Sequence, residues 1–310
     1  MKKEISKHII NKLNLQDIVD TLSNELSGSE LNSVLLDVFN KRIQQESPSS
    51  LLNKYERNKL VKPVEIDALK FKEEELSCYN ILAVNGFKPL ELSPVAQLGT
   101  SSVIATVDQK KVLSALRNTE VQADPTNAIA LHYASLKKKG VLEDNTYNYS
   151  NISRVIRTQA FSNPNFTPHF SVLCLISCGK DTGSFSFEKE ELLKHLSISY
   201  ALCKDFYRLE TVYFEIIPMK GYGSQSPLIE ECLSYIQVKR DDFKISVVEP
   251  DNDNNYYYGF RIKLKAIIKD IVYEIGDGGL LDWTQQLLAN KKERMMTMGI
   301  GFQLLHQLTQ

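Results

Sequence analysis

Arg154-Val155-Ile156-Arg157-Thr158-Gln159 ends one apolar run, and His169-Phe170-Ser171-Val172-Leu173-Cys174-Leu175-Ile176 begins the next. Each run is short, rich in β-branched residues and bounded by turn formers, so the pattern predicts strands over Ser153 to Gln159 and Phe170 to Cys178. The loop from Phe161 to Pro168 between them carries two prolines, Pro164 and Pro168, which keep it out of either strand.

Downstream the pattern predicts a helix over Glu188 to Leu209, a strand over Val212 to Pro218 and a helix over Pro227 to Ile236. Strands follow over Phe243 to Val248, Tyr257 to Ala266 and Ile271 to Ile275, and a helix-and-strand element fills Leu280 to the end. Upstream, Ser102 to Val107 and Val112 to Leu116 read as strands. Asn127 to Lys139 reads as a helix opened by Asp124-Pro125-Thr126, since Asp and Thr cap helices and proline suits a first turn. Clustered strands with few clean strand–helix–strand units imply an α+β protein with a largely antiparallel sheet.

Residues 1–75 differ in character. Ile5, Ile9, Ile10, Leu13 and Ile18 recur at helical spacing, and Ser27-Gly28-Ser29 breaks the pattern. Leu31, Val34, Leu35, Val38 and Phe39 resume it, and Pro48 interrupts it again before Leu51, Leu52 and Tyr55. The chain therefore divides into an N-terminal helical extension (1–75) and a core domain (76–310).

With 310 residues, 43% hydrophobic and 24% charged, the chain has the composition of an ordinary globular protein. Its formal net charge of -1 gives no general attraction to nucleic acid or acidic membranes. The basic runs Lys137-Lys138-Lys139 and Lys291-Lys292-Glu293-Arg294 read as solvated helix charges ahead of RNA contacts. No run approaches the roughly 18 apolar residues that span a bilayer, and the charged start is not a secretory signal, so the expected compartment is the cytoplasm. Five cysteines argue against a disulfide framework. Cys174 and Cys178 share a strand face roughly 13 Å apart, too far to share a zinc ion, and read as core residues. Asp251 to Asn255 lacks the glycine and closing glutamate of a calcium loop. Neither a phosphate-binding Gly-rich loop nor a dinucleotide fingerprint occurs.

Four segments, in order, resemble the catalytic core of a class II aminoacyl-tRNA synthetase of the histidyl type, and equally the regulatory subunit of ATP phosphoribosyltransferase. Gln122-Ala123-Asp124-Pro125-Thr126 resembles the family's Arg, acid and Thr opening a helix, with Gln122 at the Arg position. Arg154 to Gln159, its loop and the return strand resemble motif 2, with Arg157 at the phosphate-binding Arg and Gln159 at the Glu. Tyr256-Tyr257-Tyr258-Gly259 resembles the histidine-recognition segment, with Tyr257 and Tyr258 at its paired tyrosines and Asp253 at its Arg. Gly276-Asp277-Gly278-Gly279-Leu280-Leu281-Asp282 resembles the Gly-Gly-Arg-Tyr-Asp turn. Gly299-Ile300-Gly301-Phe302-Gln303-Leu304 resembles motif 3, with Gln303-Leu304 in place of Glu-Arg.

The resemblance covers about residues 80–310 and carries no anticodon-binding domain. It implies a ligand site formed by Asp124, Thr126, Arg157, Gln159, Tyr257, Tyr258, Gly278, Gly279, Gly299 and Gly301, with ATP and Mg as cofactors. It also implies a homodimer with its interface around residues 80–120. The altered residues point away from histidyl-tRNA formation, because adenylation relies on fixed cations to stabilise the transferring phosphate. Three functions remain open: a ligand-sensing or regulatory subunit, an ATP-dependent acid-activating enzyme with Arg157 holding phosphate and Lys180, Asp181 or Arg261 replacing lost groups, and a scaffold with a vestigial pocket. The N-terminal helices are a candidate surface for a protein partner. Each segment also has a plainer reading: helix capping for Asp124 and Thr126, a surface strand for Arg157, and aromatic packing for the tyrosines.

Overall fold

The computed structural model describes residues 2–158, 167–222, 226–250 and 254–310. Ten α-helices are described: α1 (Lys2–Lys12), α2 (Ile18–Asp20), α3 (Gly28–Ile43), α4 (Pro48–Arg57), α5 (Ala68–Val84), α6 (Pro125–Lys138), α7 (Ser186–Ala201), α8 (Leu228–Lys239), α9 (Trp283–Leu288) and α10 (Phe302–Leu308). The strands are β1 (Lys88–Pro89), β2 (Val95–Gln97), β3 (Ser114–Ala115), β4 (Thr119–Val121), β5 (Tyr147–Ile156), β6 (His169–Lys180), β7 (Thr211–Pro218), β8 (Ile245–Val247), β9 (Phe260–Ile268), β10 (Ile271–Leu281) and β11 (Glu293–Ile300).

Eight strands form one sheet in the order β1-β5-β6-β11-β10-β9-β7-β8, and β2-β4-β3 form a small second sheet. Only the outermost pairs of the large sheet, β1 with β5 and β7 with β8, run parallel. The fold is α+β, as the sequence implies.

Alternation along β6 separates two cores. Leu173 and Leu175 join the larger one, which α5, α7, α8 and α10 cover. Cys174, Ile176 and Cys178 face the other side, where α6 and α9 supply Ile129, Ala130, Tyr133 and Trp283. All five cysteines are buried and free, and among the described residues no cluster of metal-ligating side chains occurs. No described helix is long and apolar enough to cross a membrane.

Several elements depart from the sequence pattern. The change of character expected near residue 76 falls inside α5, whose Phe71, Cys78 and Leu82 lie in the larger core. The Ser102 to Val107 strand is instead a π-helical turn over Thr100–Ile104. The buried Glu120 carboxylate accepts the Gly99 and Ser101 N–H groups and closes that turn. Of Val112 to Leu116 only Ser114–Ala115 pairs. Pro48 starts α4 rather than ending α3. The glycine-rich segment from Gly276 is part of β10 rather than a turn. A Cβ at Gly278 would stand 2.4 Å from the Thr297 carbonyl, which explains a glycine inside a strand.

The larger core holds one polar knot. Ser177 Oγ lies 2.7 Å from Glu191 Oε2 and 2.8 Å from His195 Nε2, and His195 is wholly buried. Asn148, turned to donate to Ser177 and Glu191, accepts from Lys194. The Ser177 hydroxyl donates to the Glu191 carboxylate, so Nε2–H of His195 donates to Ser177, and Nδ1 has no partner among the described residues. Burial, helped by Lys194, pushes the His195 pKa down to about 3. The unfolded chain therefore binds a proton near pH 6.5 that the folded chain refuses. Stability should fall as pH drops below 6.5, by about 1.4 kcal/mol per unit, or about 2 kcal/mol at pH 5. Urea unfolding at pH 7 and pH 5 should show that loss in the native protein, and His195→Gln should remove this component of it.

Candidate functional site

The face of the large sheet that α6 and α9 leave uncovered forms the floor of an open cleft of about 460 Å³. Its floor follows the strand registers. Cys174 of β6 pairs with Gly299 of β11, Gly299 pairs with Asp277 of β10, and Asp277 pairs with Lys263 of β9. Directly paired residues share a face, so Cys174, Gly299 and Asp277 line the floor in a row. A Cβ at Gly299 would make only ordinary contacts, to Asp277 O at 3.5 Å. The glycine therefore keeps the floor low without being sterically required.

One end of the cleft is organised by Asp124. Its Oδ1 accepts the Thr126 N–H at 2.8 Å, capping α6. Its Oδ2 accepts the Tyr256 hydroxyl at 2.6 Å. Thr126 Oγ1 is 3.3 Å from Thr297 Oγ1, which ties the start of α6 to the floor. Tyr256 stacks edge-on against Tyr257 at 4.8 Å and Trp283 at 4.9 Å. Burial first, then the Asp124 charge, raises the Tyr256 pKa well above its ordinary value, so the phenol stays a donor. The same cause, with Asp277 next, raises Tyr257.

Arg157 and Lys111 line another part of the wall. The Arg157 guanidinium lies 5.3 Å from the Phe170 ring centroid, and its Nε donates to the Ala123 carbonyl at 3.2 Å. The loop bearing Lys111 is tied to the strand end, since its carbonyl accepts the Thr158 N–H at 3.0 Å. Along β9 and β10, Arg261 grips Asp277 through two hydrogen bonds of 2.8 and 2.9 Å. Glu274 lies 3.8 Å from Arg261 and 3.0 Å from Lys263. Burial raises the Asp277 pKa although Arg261 opposes it, and Asp277 still shows 37% of its side chain to the cleft. Among the described residues, three carboxylates (Asp124, Glu274, Asp277) and two cations (Lys111, Arg157) line the cleft, and Arg261 pairs with Asp277 from beside it.

Of the residues expected at a site, the structure brings Asp124, Thr126, Arg157, Tyr257, Gly299 and Gly301 to this cleft. Tyr258 is elsewhere, its ring 5.3 Å from that of Tyr222, in the bent segment that precedes β9. Gly278 and Gly279 do not line it; at Gly279 a Cβ would stand 2.4 Å from the Phe260 carbonyl, so the glycine serves strand packing. Gln159 and Asp253 lie outside the described residues. Gln303 faces away, accepting from Arg154 at 3.0 Å, whereas Leu304 lines the cleft.

No family model and no curated protein matches this sequence. Solved structures do match its fold. The histidyl-tRNA synthetase of S. aureus superposes with a TM-score of 0.55 at 12% identity, over 77% of this chain and 65% of that one. An ATP phosphoribosyltransferase regulatory subunit/histidyl-tRNA synthetase from Bacillus halodurans C gives 0.60 at 15% identity, over 80% and 82%. A threonyl-tRNA synthetase from Aeropyrum pernix gives 0.60 at 11% identity, over 77% and 58%. The chain has a class II synthetase-like core. At these identities the likeness is one of fold, and the chain spans only 65% and 58% of the S. aureus and A. pernix enzymes.

Within that synthetase-like core, sequence reading missed Tyr256, Asp277, Glu274 and Lys111 as cleft residues. No periodicity singles out Tyr256, which lies two residues from Tyr258 in a bent segment outside any strand. Lys111 and Glu274 carry no motif. Asp277 sits between Gly276 and Gly278 in a strand whose register alone decides its direction. The Tyr256–Asp124 bond joins the tyrosine segment to the start of α6. Tyr256→Phe should leave the α6 cap intact yet lower unfolding stability by about 1–3 kcal/mol, read from the urea midpoint.

Proposed function

We propose that this protein is a catalytically altered synthetase-like regulatory or sensing subunit that binds a small amino acid in its cleft. The observation that carries the reading is that Leu304 stands in the cleft where the resemblance calls for an arginine, while Asp124, Thr126, Tyr257 and Arg157 remain. A carboxylate at one end and a guanidinium elsewhere suit a zwitterion with separated charges. The relative from Bacillus halodurans C, named as a regulatory subunit as well as a synthetase, supports the same direction.

The residues present do not fit Mg-ATP. A triphosphate requires an excess of cationic groups, and here, among the described residues, three carboxylates line the cleft against two cations. Asp277 and Glu274, the carboxylates that would face a cation, are already taken up by Arg261 and Lys263. A leucine at 304 can pack against a base but supplies no charge. The reading of an acid-activating, ATP-dependent enzyme draws on Lys111, which brings a second cation to the cleft beside Arg157.

A regulatory role also needs the cleft to be connected to the rest of the chain. The backbone carbonyl of Lys62, within the N-terminal extension, accepts His169 Nε2–H at 2.7 Å. His169 Nδ1 then accepts Arg154 at 3.1 Å, and Arg154 donates to Gln303. The neighbours of His169 and Gln303, Phe170 and Leu304, line the cleft.

Thermal-shift titration tests the proposal with a panel of amino acids, with and without Mg-ATP. A ligand at 100 times its Kd adds about 2.7 kcal/mol, and a large domain gains roughly 2–4 °C per kcal/mol. A shift with an amino acid alone, lost in Arg157→Met, is the expected result. A shift that requires Mg-ATP, with release of pyrophosphate, would overturn it in favour of the acid-activating enzyme. No shift with any amino acid or Mg-ATP would leave a scaffold.

A further inference from the structure

Helices α2, α3 and α4 contain no buried residue at all. On α3, Val34, Leu36, Val38, Phe39 and Ile43 expose 39 to 66% of their surface. The helix is well made locally. Ser27 and Glu30 form a capping box, and Asn32 accepts the Arg117 N–H at 2.6 Å, fixing the start of α3 to the tip of the β3–β4 hairpin. A 16-residue helix with an uncovered apolar face is nevertheless marginal in water, because helices draw most of their stability from packing.

Val34 and Val38 share one side of α3, with Leu36, Phe39 and Ile43 on the other, and the pattern along the valine side specifies what covers that side. Glu30, Val34, Val38 and Arg42 stand four residues apart on one ridge, and all four are exposed. Read from either end, the ridge is its own complement: acid, valine, valine, base. A second copy laid antiparallel sets Glu30 against Arg42 and Val34 against Val38, and a two-fold axis repeats both pairs. Antiparallel packing also brings the two helix dipoles head to tail. A parallel pair would instead oppose Glu30 to Glu30 and Arg42 to Arg42. We infer that the ridge Glu30–Val34–Val38–Arg42 of α3 is a self-association surface that docks antiparallel onto the same ridge of a second copy of this chain.

Cysteine cross-linking of the full chain tests this directly, because all five native cysteines are buried. Val34→Cys and Val38→Cys chains, carrying different tags, are mixed and oxidised; Asn40→Cys, on another face of the helix, is the control. The expected result is a dominant 34-to-38 product and little from Asn40→Cys. Predominant 34-to-34 and 38-to-38 products, equal cross-linking of Asn40→Cys, or no cross-link with circular dichroism unchanged would overturn the inference. This readout does not depend on any interface elsewhere in the molecule.

A double-mutant cycle supplies the second measurement. Glu30→Gln keeps the capping box, which accepts glutamine as well as glutamate, so it removes charge without removing the cap. Glu30 and Arg42 are twelve residues apart on one helix and do not meet within a chain. Combined with Arg42→Gln, the cycle should show a coupling of about two- to fivefold in the self-association constant for each pair. Additive effects would contradict the predicted register.

Discussion

The backbone of β6 pairs on both edges and its side chains alternate between two faces, and both facts constrain everything around it. A central strand of this kind needs cover on each side, because Leu173 and Leu175 point one way while Cys174, Ile176 and Cys178 point the other. Four helices of the core cover the first face. On the second, α6 and α9 cover the far end of β6, and the near end, where Phe170, Val172 and Cys174 lie, is the cleft. The site is thus the part of a sheet face left over once packing is complete. Its floor is as rigid as the antiparallel registers that make it, and its variable walls come from loops.

Asp124 translates that frame into chemistry. One oxygen caps α6 and the other holds Tyr256, so a single carboxylate fixes a helix terminus and an aromatic segment 132 residues away. The plainer reading of Asp124 as a helix cap and its reading as a cleft residue are therefore both correct for the same atoms. The cap orients the carboxylate, and the orientation puts it at the cleft wall. Glu120 plays a comparable part nearby: two backbone N–H groups fold the turn that carries Ser101 to the cleft.

What was legible in the sequence follows from which forces are local. Long strands and helices declared themselves through periodicity, and the α+β sheet followed from their order. The short elements did not. Thr100–Ile104 has β-branched residues that suit a strand, yet a carboxylate from residue 120 bends it into a helical turn. The pairing of Gly278 against β11 turned an apparent loop into strand for a similar, nonlocal reason. In the cleft, residues attached to a motif could be named in advance. The direction of Tyr258 was set by the bend ahead of β9 and the arrival of Asp277 by strand register, which no single stretch of sequence contains.

Charge then separates the fold from the chemistry it hosts. The synthetase-like architecture supplies a floor, a capped helix and an arginine at the end of β5's extension, but the reaction associated with that architecture depends on cations placed around a polyphosphate. Here the cations at β9 answer carboxylates at β10: Arg261 closes bidentately on Asp277, and Lys263 meets Glu274. To serve a polyanion these pairs would have to open, leaving partly buried carboxylates unmatched beside it, which is costly even before phosphate repulsion is counted. A ligand with both charges on one small frame meets no such opposition. The opposition to a polyanion therefore follows from the register that pairs β9 with β10.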